Sequence, residues 1–123
     1  MGARASTEGE RFPQSIRLRK RKDFLRVQDQ GVKVSVDPLL ALALKNPLNV
    51  TRLGITVSSK VGNAVVRNRI RRRLREILRR RRHRFPEGVD LVLIATARAR
   101  AADFESLNRA CLGLASRLKR RFP

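Results

Sequence analysis

The sequence is poor in several residue types that secreted, metal-binding and nucleolytic proteins need. Its 123 residues include one cysteine, one histidine and no Trp or Tyr. The lone Cys111 permits no disulfide within the chain, which is typical of the reducing cytoplasm, and its position on an apolar helical stripe predicts a core residue. His83 has no partner at metal-ligand spacing, and the acidic residues show no pairing typical of two-metal nuclease chemistry. We therefore expect no catalytic residue and no metal site in this chain.

Long hydrophobic runs and acidic residues are also scarce. No apolar stretch approaches the roughly 18 residues that a membrane-spanning helix needs, and the N-terminus has no signal-peptide core, so we expect no membrane partner. Only 10 Asp and Glu oppose 30 Lys and Arg, which leaves a net charge of +20. Charge repulsion of this size favours a polyanionic partner, and nucleic acid is the commonest one.

Hydrophobic periodicity divides the chain into a short tail and one domain. Residues 1–15 are small, polar and aperiodic, which predicts a mobile N-terminal tail before a single domain over residues 16–123. That domain is predicted to contain a helix that stops near Gly31, an arginine-rich helix, and a final helix capped by Asp103. Its strands are predicted over residues 32–36, 39–45, 51–58 and 89–96. The order helix-strand-strand-strand-helix-strand-helix predicts a small single-domain α+β sandwich, with helices packed against a sheet.

Residues 67–84 hold eleven Arg, yet an apolar stripe continues through them. The stripe recurs at helical spacing and consists of Val66, Ile70, Leu74, Ile77, Leu78 and Phe85. Asn63 stands where a helix N-cap is expected. Like charges four residues apart destabilise a helix by about a few tenths of a kcal/mol per pair, so we infer that a bound anion has shaped this surface. The segment is predicted to be a helix that docks by its apolar stripe and presents its arginines to nucleic acid.

The residues alone leave alternatives for this helix open. A solvated basic face is common where Lys and Glu alternate, but Glu76 is the only acid in residues 67–84. Helical periodicity does not separate a helix in a DNA major groove from one that lies along folded RNA. Asn68 has poor helix propensity at a mid-helix position, which indicates a hydrogen-bonding role.

The residues at the start of the arginine-rich helix form a more specific pattern. Gly62-Asn63-Ala64-Val65 follows a lysine-bearing loop at Lys60 and leads into Arg67-Asn68-Arg69. This pattern resembles the signature of the protein subunit of bacterial-type ribonuclease P, and residues 18–31 resemble the opening helix of that family. The resemblance covers residues 16–121. It implies a left-handed βαβ crossover, which is a rare exception to the right-handed rule, in a topology similar to the second domain of a small-subunit ribosomal protein.

In that family the protein assists a catalytic RNA that removes the 5′ leader from precursor tRNA. The resemblance therefore implies two RNA partners, with Mg²⁺ held mainly by RNA, and no obligate protein partner is expected. The residues implied to bind the catalytic RNA are Lys60, Asn63, Arg67, Asn68, Arg69, Arg71, Arg72 and Arg75. Those implied to form a cleft for the single-stranded leader are Arg17, Arg19, Lys20, Arg21, Lys22, Phe24, Gln28, Leu42 and Arg52.

The implied leader cleft departs from the family pattern in its aromatic content. Gln28 stands where a second Phe is common, and Leu42 replaces a strand aromatic. Leader binding is therefore expected to depend on phosphate contacts and apolar packing more than on base stacking. Phe24 fits two roles equally well, a leader contact and a core anchor of the opening helix.

Rival functions explain the sequence less completely. A general basic RNA-binding protein of the ribosomal type, or a nucleoid-type DNA binder, accounts for the size and net charge but not for the spacing between Gly62 and Arg69. A protein-only nuclease needs a carboxylate or histidine cluster, which the sequence lacks. The sequence therefore favours the ribonuclease P protein family.

Overall fold

The structure is a computed structural model and describes residues 17, 18 and 20–123. The predicted tail and Arg19 lie outside these described residues. Within them the predicted order of helices and strands is confirmed: α1 Arg21–Gln30, β1 Val32–Val36, β2 Leu39–Lys45, β3 Arg52–Val57, α2 Ala64–Arg81, β4 Val89–Ala95 and α3 Phe104–Arg121. Short 3-10 turns lie between these elements, over Ser59–Val61, Arg82–Arg84 and Ala97–Ala101.

The four strands form one mixed sheet in the order β1-β2-β4-β3. β1 and β2 are antiparallel and are joined by a two-residue turn, Asp37-Pro38, with a cis peptide bond. β2 is antiparallel to β4, whereas β3 is parallel to β4. α2 lies between these two parallel strands in the chain and so forms the helix of a βαβ unit. The left hand of this crossover stays a prediction of the resemblance.

Both faces of the sheet carry apolar residues, because successive strand residues point to opposite sides. On one face, α2 and α3 cover the larger core, in which Leu53 and Leu91 meet Leu114. On the other face, α1 covers a smaller core. Its buried members are Leu18, Val27, Leu42 and Val92. β4 is buried against both cores, as its nearly continuous apolar sequence predicts.

The helix ends confirm the predicted caps. Asn63 Oδ1 accepts a hydrogen bond from the Val66 amide at 3.0 Å, and Asp103 Oδ1 accepts one from the Ser106 amide at 2.8 Å. Each bond satisfies an amide that the helix itself leaves without a partner. Gly31 ends α1, and a Cβ at this position would collide with the Val27 carbonyl oxygen.

Candidate RNA interface

The arginine-rich helix α2 is docked by one stripe, as the sequence predicts. Its buried side chains are Ile70, Leu74, Ile77 and Leu78, and all four have an exposed fraction of 0%. Val66 is half-buried at the start of the helix. Phe85 is buried as well, but it lies beyond the end of the helix. The arginines consequently occupy the rest of the helix surface, where their positions are set by the docked stripe.

The arginines of α2 fall into two groups with different partners. In the C-terminal half, Glu76 accepts hydrogen bonds from Arg79 Nη2 at 2.6 Å and Arg80 Nε at 2.8 Å. The hydrogen bond from Arg79 is the largest cause that holds the pKa of Glu76 below its ordinary value. Arg73 and Arg81 extend to α3 and its approach, where they donate to the Ala102 carbonyl and to Asn108 Oδ1. These four arginines already have protein partners.

The second group is the set of arginines predicted to bind the catalytic RNA. No member forms an ion pair with an acidic residue of the described chain; the group comprises Arg67, Arg69, Arg71, Arg72 and Arg75. We call these five residues the free arginine face. Unpaired cations on a rigid helix are available to phosphate oxygens, which guanidinium groups bind in bidentate fashion.

Charge is concentrated where the free arginine face meets the edge of the sheet. Arg17 pairs with Leu53 of β3 in an isolated bridge, and the Leu18 amide donates to the Leu53 carbonyl at 2.8 Å. Burial lowers the pKa of the Arg75 guanidinium, and the charges of Arg17 and Arg71 lower it further. Arginine stays protonated in proteins nevertheless, so Arg75 keeps its charge against the repulsion of Arg17 and Arg71. A bound anion would relieve that repulsion.

Three other residues of the predicted RNA set have identifiable local roles. Asn68 Oδ1 accepts a hydrogen bond from Arg71 Nη1 at 2.9 Å, which confirms the predicted hydrogen-bonding role and orients that guanidinium. Asn63 uses its Oδ1 in the helix cap. Lys60 is exposed in the 3-10 turn before α2. The predicted set therefore runs from the turn before α2 to Arg75 in the second half of the helix, outside the fully buried stripe.

A groove of about 420 Å³ lies between α1 and the second face of the sheet. Its lining residues are Arg21, Phe24, Leu25, Gln28, Leu42, Thr56, Val92 and Ile94. Four residues of the predicted leader set are among them. The floor is apolar strand surface, and one wall is the side of α1.

The core role of Phe24 is confirmed, and its leader contact stays a prediction. Its ring lines the groove and also packs, half-buried, against the smaller core. Gly54 makes room for it, because a Cβ on Gly54 would lie 2.8 Å from the ring. Phe24 is the one aromatic residue among those that line the groove.

Basic residues lie at the N-terminal end of α1, where Arg21 lines this groove. Lys20, Arg21 and Lys22 are exposed at the N-terminus of α1, where the helix dipole would favour acidic residues instead. No ion pair with a described residue involves these three side chains. Arg17 stands at the nearby edge of β3. We call Arg17, Lys20, Arg21 and Lys22, the basic leader residues at this end of the groove, the cationic rim.

Asp90 is a functional candidate that sequence reasoning missed. Its side chain is fully buried, and both oxygens accept hydrogen bonds. Arg52 Nε and Asn46 Nδ2 donate to Oδ1, each at 2.8 Å, while Arg52 Nη2 and Arg26 Nη2 donate to Oδ2 at 2.7 and 2.8 Å. Burial raises the pKa of Asp90, but these hydrogen bonds and the charges of Arg52 and Arg26 outweigh it and leave the pKa below its ordinary value.

The Asp90 network also changes the interpretation of Arg52. Its hydrogen bond to Asp90 is the largest cause that raises the pKa of Arg52, and Asp23 lies 3.6 Å from its Nη1. Arg52, which the sequence assigns to the leader set, therefore has its charge already paired. A sequence signal for this network exists, because Asp90 is a lone acid inside a strand that is otherwise apolar.

Nothing in the described residues suggests chemistry by the chain itself. They contain no group of three or more His, Cys, Asp or Glu that could hold a metal ion. Burial raises the pKa of the Cys111 thiol to about 12, so it is not a nucleophile at neutral pH. Over the same residues, no helix is long and apolar enough to cross a membrane.

The comparisons of this chain with known sequences and known structures all identify the same family. The sequence model of the family Ribonuclease P matches residues 12–119. The Ribonuclease P protein component of Gluconacetobacter diazotrophicus is 48% identical over 93 residues, which are 74% of this chain and 80% of that protein. The protein of the same name from Natranaerobius thermophilus is 36% identical over 106 residues, which are 86% of this chain and 92% of that protein.

Solved structures agree with the sequence matches. The RNase P protein from Thermotoga maritima superposes with a TM-score of 0.75 at 35% identity, covering 82% of this chain and 96% of that one. A Staphylococcus aureus RNase P protein, described as a mutant with defective mRNA degradation activity, superposes with a TM-score of 0.81 at 26% identity. That match covers 97% of both chains.

Proposed function

We propose, since the chain belongs to the bacterial ribonuclease P protein family, that its two basic surfaces bind two RNAs at once. The chain is the protein subunit of that ribonucleoprotein endoribonuclease, and its partner is the ribonuclease P RNA. On this proposal the catalytic RNA lies on the free arginine face of α2. The 5′ leader of precursor tRNA lies in the groove under α1.

The observation that carries this proposal is the division of the arginines on α2. Four arginines of α2 donate to Glu76, to the Ala102 carbonyl or to Asn108, whereas the five of the free arginine face have no acidic partner in the described chain. Burial and the like charges of Arg17 and Arg71 disfavour the charged form of Arg75. Phosphates of a folded RNA supply the missing counter-charge, and the counterions that they release favour binding.

The groove has the chemistry that a single-stranded leader requires. Its apolar floor offers Leu42, Val92 and Ile94 to the faces of the bases, while the cationic rim can neutralise the leader phosphates. One aromatic ring, that of Phe24, is available for stacking. We therefore propose a leader site with strong salt dependence and weak preference for particular bases, because stacking and hydrogen-bond readout contribute little.

Mg²⁺ belongs to the RNA in this proposal. Mg²⁺ keeps several waters and is usually bound through one or two carboxylates together with phosphates. The described chain offers no acidic cluster at either basic surface. Its residues act by neutralising phosphates, which lets the catalytic RNA and the precursor tRNA approach one another. We place this activity in the cytoplasm, where the free thiol of Cys111 stays reduced.

The test is leader removal from precursor tRNA by the catalytic RNA at low Mg²⁺, with and without this chain. The proposal predicts that the chain stimulates cleavage and that the stimulation declines steeply as salt is raised. A general basic RNA-binding protein of the ribosomal type would bind RNA without stimulating cleavage. Absence of stimulation at every Mg²⁺ concentration would therefore sink the proposal.

A further inference from the structure

The helix α1 is attached to the sheet by apolar and by ionic contacts. The apolar contact consists of Val27, the only fully buried residue of α1, and of the half-buried Phe24, which both belong to the smaller core with Leu42 and Val92. The ionic contact consists of Arg26 Nη2, which donates to the buried Asp90 carboxylate at 2.8 Å, and of Asp23, which lies 3.6 Å from Arg52 Nη1. A small apolar contact allows a helix to tilt about it, so the short Arg26–Asp90 contact restricts motion that the apolar contact leaves free.

The Arg26–Asp90 contact lies on one side of α1, and the groove lies on the other. Residues 23 and 26 share the face that reaches the Asp90 network, whereas residues 21, 25 and 28 share the face that lines the groove. Val27 stands between the two faces. A change in the Arg26–Asp90 contact would therefore rotate or lift the wall of the groove without any direct effect on its floor.

Asp90 is itself held by two other elements of the fold, β3 and the loop after β2. Arg52 on β3 is its register partner and grips both oxygens, while Asn46 after β2 donates to Oδ1. Asn46 also donates to the Val50 carbonyl and accepts from the Leu48 amide, which ties the loop after β2 to the same site. The Asp90 carboxylate therefore has a fixed position in the sheet, and Arg26 of α1 is bound to it.

We propose that Asp90 is a positioning residue for leader binding, because its buried carboxylate holds Arg26 and so fixes the spacing of α1 above the sheet. This inference rests on the proposed leader groove. Asp90 is fully buried and negatively charged, so it does not touch the leader itself. Its contribution is a preformed groove, which avoids the cost of ordering α1 when the leader binds.

The primary variant is Arg26→Gln, with Asp90→Asn as the second. Arg26→Gln removes the tie to α1 and leaves the Asp90 contacts with Arg52 and Asn46 in place, so the sheet keeps its internal partners. The matched control is Arg98→Gln. It also removes one arginine charge and one ion pair, but the pair with Asp37 is exposed and lies at the opposite, hairpin end of the sheet.

The first readout is the distance between two spin labels, one on α1 and one on β3, in the protein without RNA. Spin labels on Gln28→Cys and Thr56→Cys face each other across the groove, and the buried Cys111 stays unlabelled. We expect one narrow distance distribution in the parent and in Arg98→Gln, and a visibly broader one in Arg26→Gln and Asp90→Asn. A narrow distribution in Arg26→Gln would overturn the inference. It would indicate that Arg26 acts by contacting leader phosphates and does not fix the position of α1.

The second readout is binding by the assembled holoenzyme of a precursor tRNA with a long leader and one with a single-nucleotide leader. We expect both α1 variants to bind the long-leader substrate roughly ten-fold more weakly, with the short-leader substrate and the catalytic RNA bound as before. Equal losses for both substrates would indicate a general folding defect and would overturn the inference. A parent holoenzyme with no preference for the long leader would instead overturn the leader groove on which the inference rests.

Discussion

The helices α1 and α2 pack on opposite faces of the same sheet, but they are attached by different means. α2 buries four aliphatic side chains completely, whereas α1 completely buries only Val27 and is otherwise held by the half-buried Phe24 and by ionic contacts to Asp90 and Arg52. Complete burial of an aliphatic side chain contributes about 1.5–3 kcal/mol. α2 is therefore a rigid platform, and α1 is a wall whose position depends on a few polar contacts.

The difference matches the two RNA partners proposed for them. A catalytic RNA that stays assembled with the protein calls for a fixed array of cations, which a deeply docked helix supplies. A leader arrives with each substrate and leaves after cleavage, which a preformed but lightly anchored groove can accommodate. Substitutions on either helix, and a fall in pH, test this difference in attachment.

The largest effect is expected from Leu74→Ala, which removes a fully buried side chain from the stripe of α2. We expect the free energy of unfolding to fall by about 2–5 kcal/mol, because a cavity remains between the helix and the sheet. Val27→Ala on α1 should cost less, about 1.5 kcal/mol. Urea denaturation measures both. Val65→Ala is the control, since that valine is 73% exposed and should change stability little.

Replacement of Arg67, Asn68 and Arg69 by alanine should weaken binding to the catalytic RNA by at least about ten-fold at moderate salt. These residues lie outside the fully buried stripe, so the thermal unfolding midpoint should change far less than it does in Leu74→Ala. Filter binding across a salt series checks the affinity. The control removes two charges from exposed positions of α3, Lys119→Ala with Arg120→Ala; an equal loss there would contradict a localised RNA face.

Gln28→Phe should strengthen leader binding, because it adds a second aromatic ring to a groove that has one. Stacking of a base on an aromatic side chain is worth about 1–3 kcal/mol, so the affinity of the holoenzyme for a long-leader substrate should rise about ten-fold. Gln30→Phe is the matched control, since residue 30 is exposed on α1 but is not among the lining residues. An equal gain in both variants would indicate nonspecific hydrophobic binding.

The smallest effect is expected when the pH is lowered, because protonation of Asp90 weakens its contact with Arg26 of α1. The pKa of Asp90 is lowered in the folded protein, so its stabilisation is present above the ordinary carboxyl pKa of about 3.9 and is lost as the pH falls through the folded value. The free energy of unfolding of the parent should therefore fall more steeply below about pH 4 than that of Asp90→Asn. Glu76 and Asp103 also have lowered pKa values but remain in both proteins. If the free energy of unfolding fell with equal slope in the parent and in Asp90→Asn, the Asp90 carboxylate would not be paired in the folded protein.

Local patterns in the sequence predict most of the fold and most of the proposed RNA surface. The apolar stripe of α2, the caps at Asn63 and Asp103 and the strands all follow from spacing over a few residues, and the structure confirms the stripe, the caps and the strands to within one residue at each end. Strand β3, for example, is predicted over 51–58 and spans Arg52–Val57. Such features depend on neighbours in the chain, which periodicity reports directly.

The Asp90 network could not be predicted in the same way. Arg26 lies 64 residues from Asp90 in the chain, and Arg52 lies 38 residues away. They meet because β3 is parallel to β4 and α1 crosses the same face, which is a consequence of topology rather than of local pattern. Without these partners, Asp90 is only an unexplained acid in an apolar strand.

The most direct test of two separate RNA surfaces is cleavage by a hydroxyl-radical reagent tethered to single cysteines in the assembled holoenzyme with precursor tRNA. Thr56→Cys places the reagent in the groove, and Arg72→Cys places it on the free arginine face, while the native Cys111 is buried and stays unmodified. We predict that the reagent at residue 56 cuts the leader and that the reagent at residue 72 cuts the catalytic RNA. Cuts in the same RNA from both positions, or no leader cut from residue 56, would contradict the account.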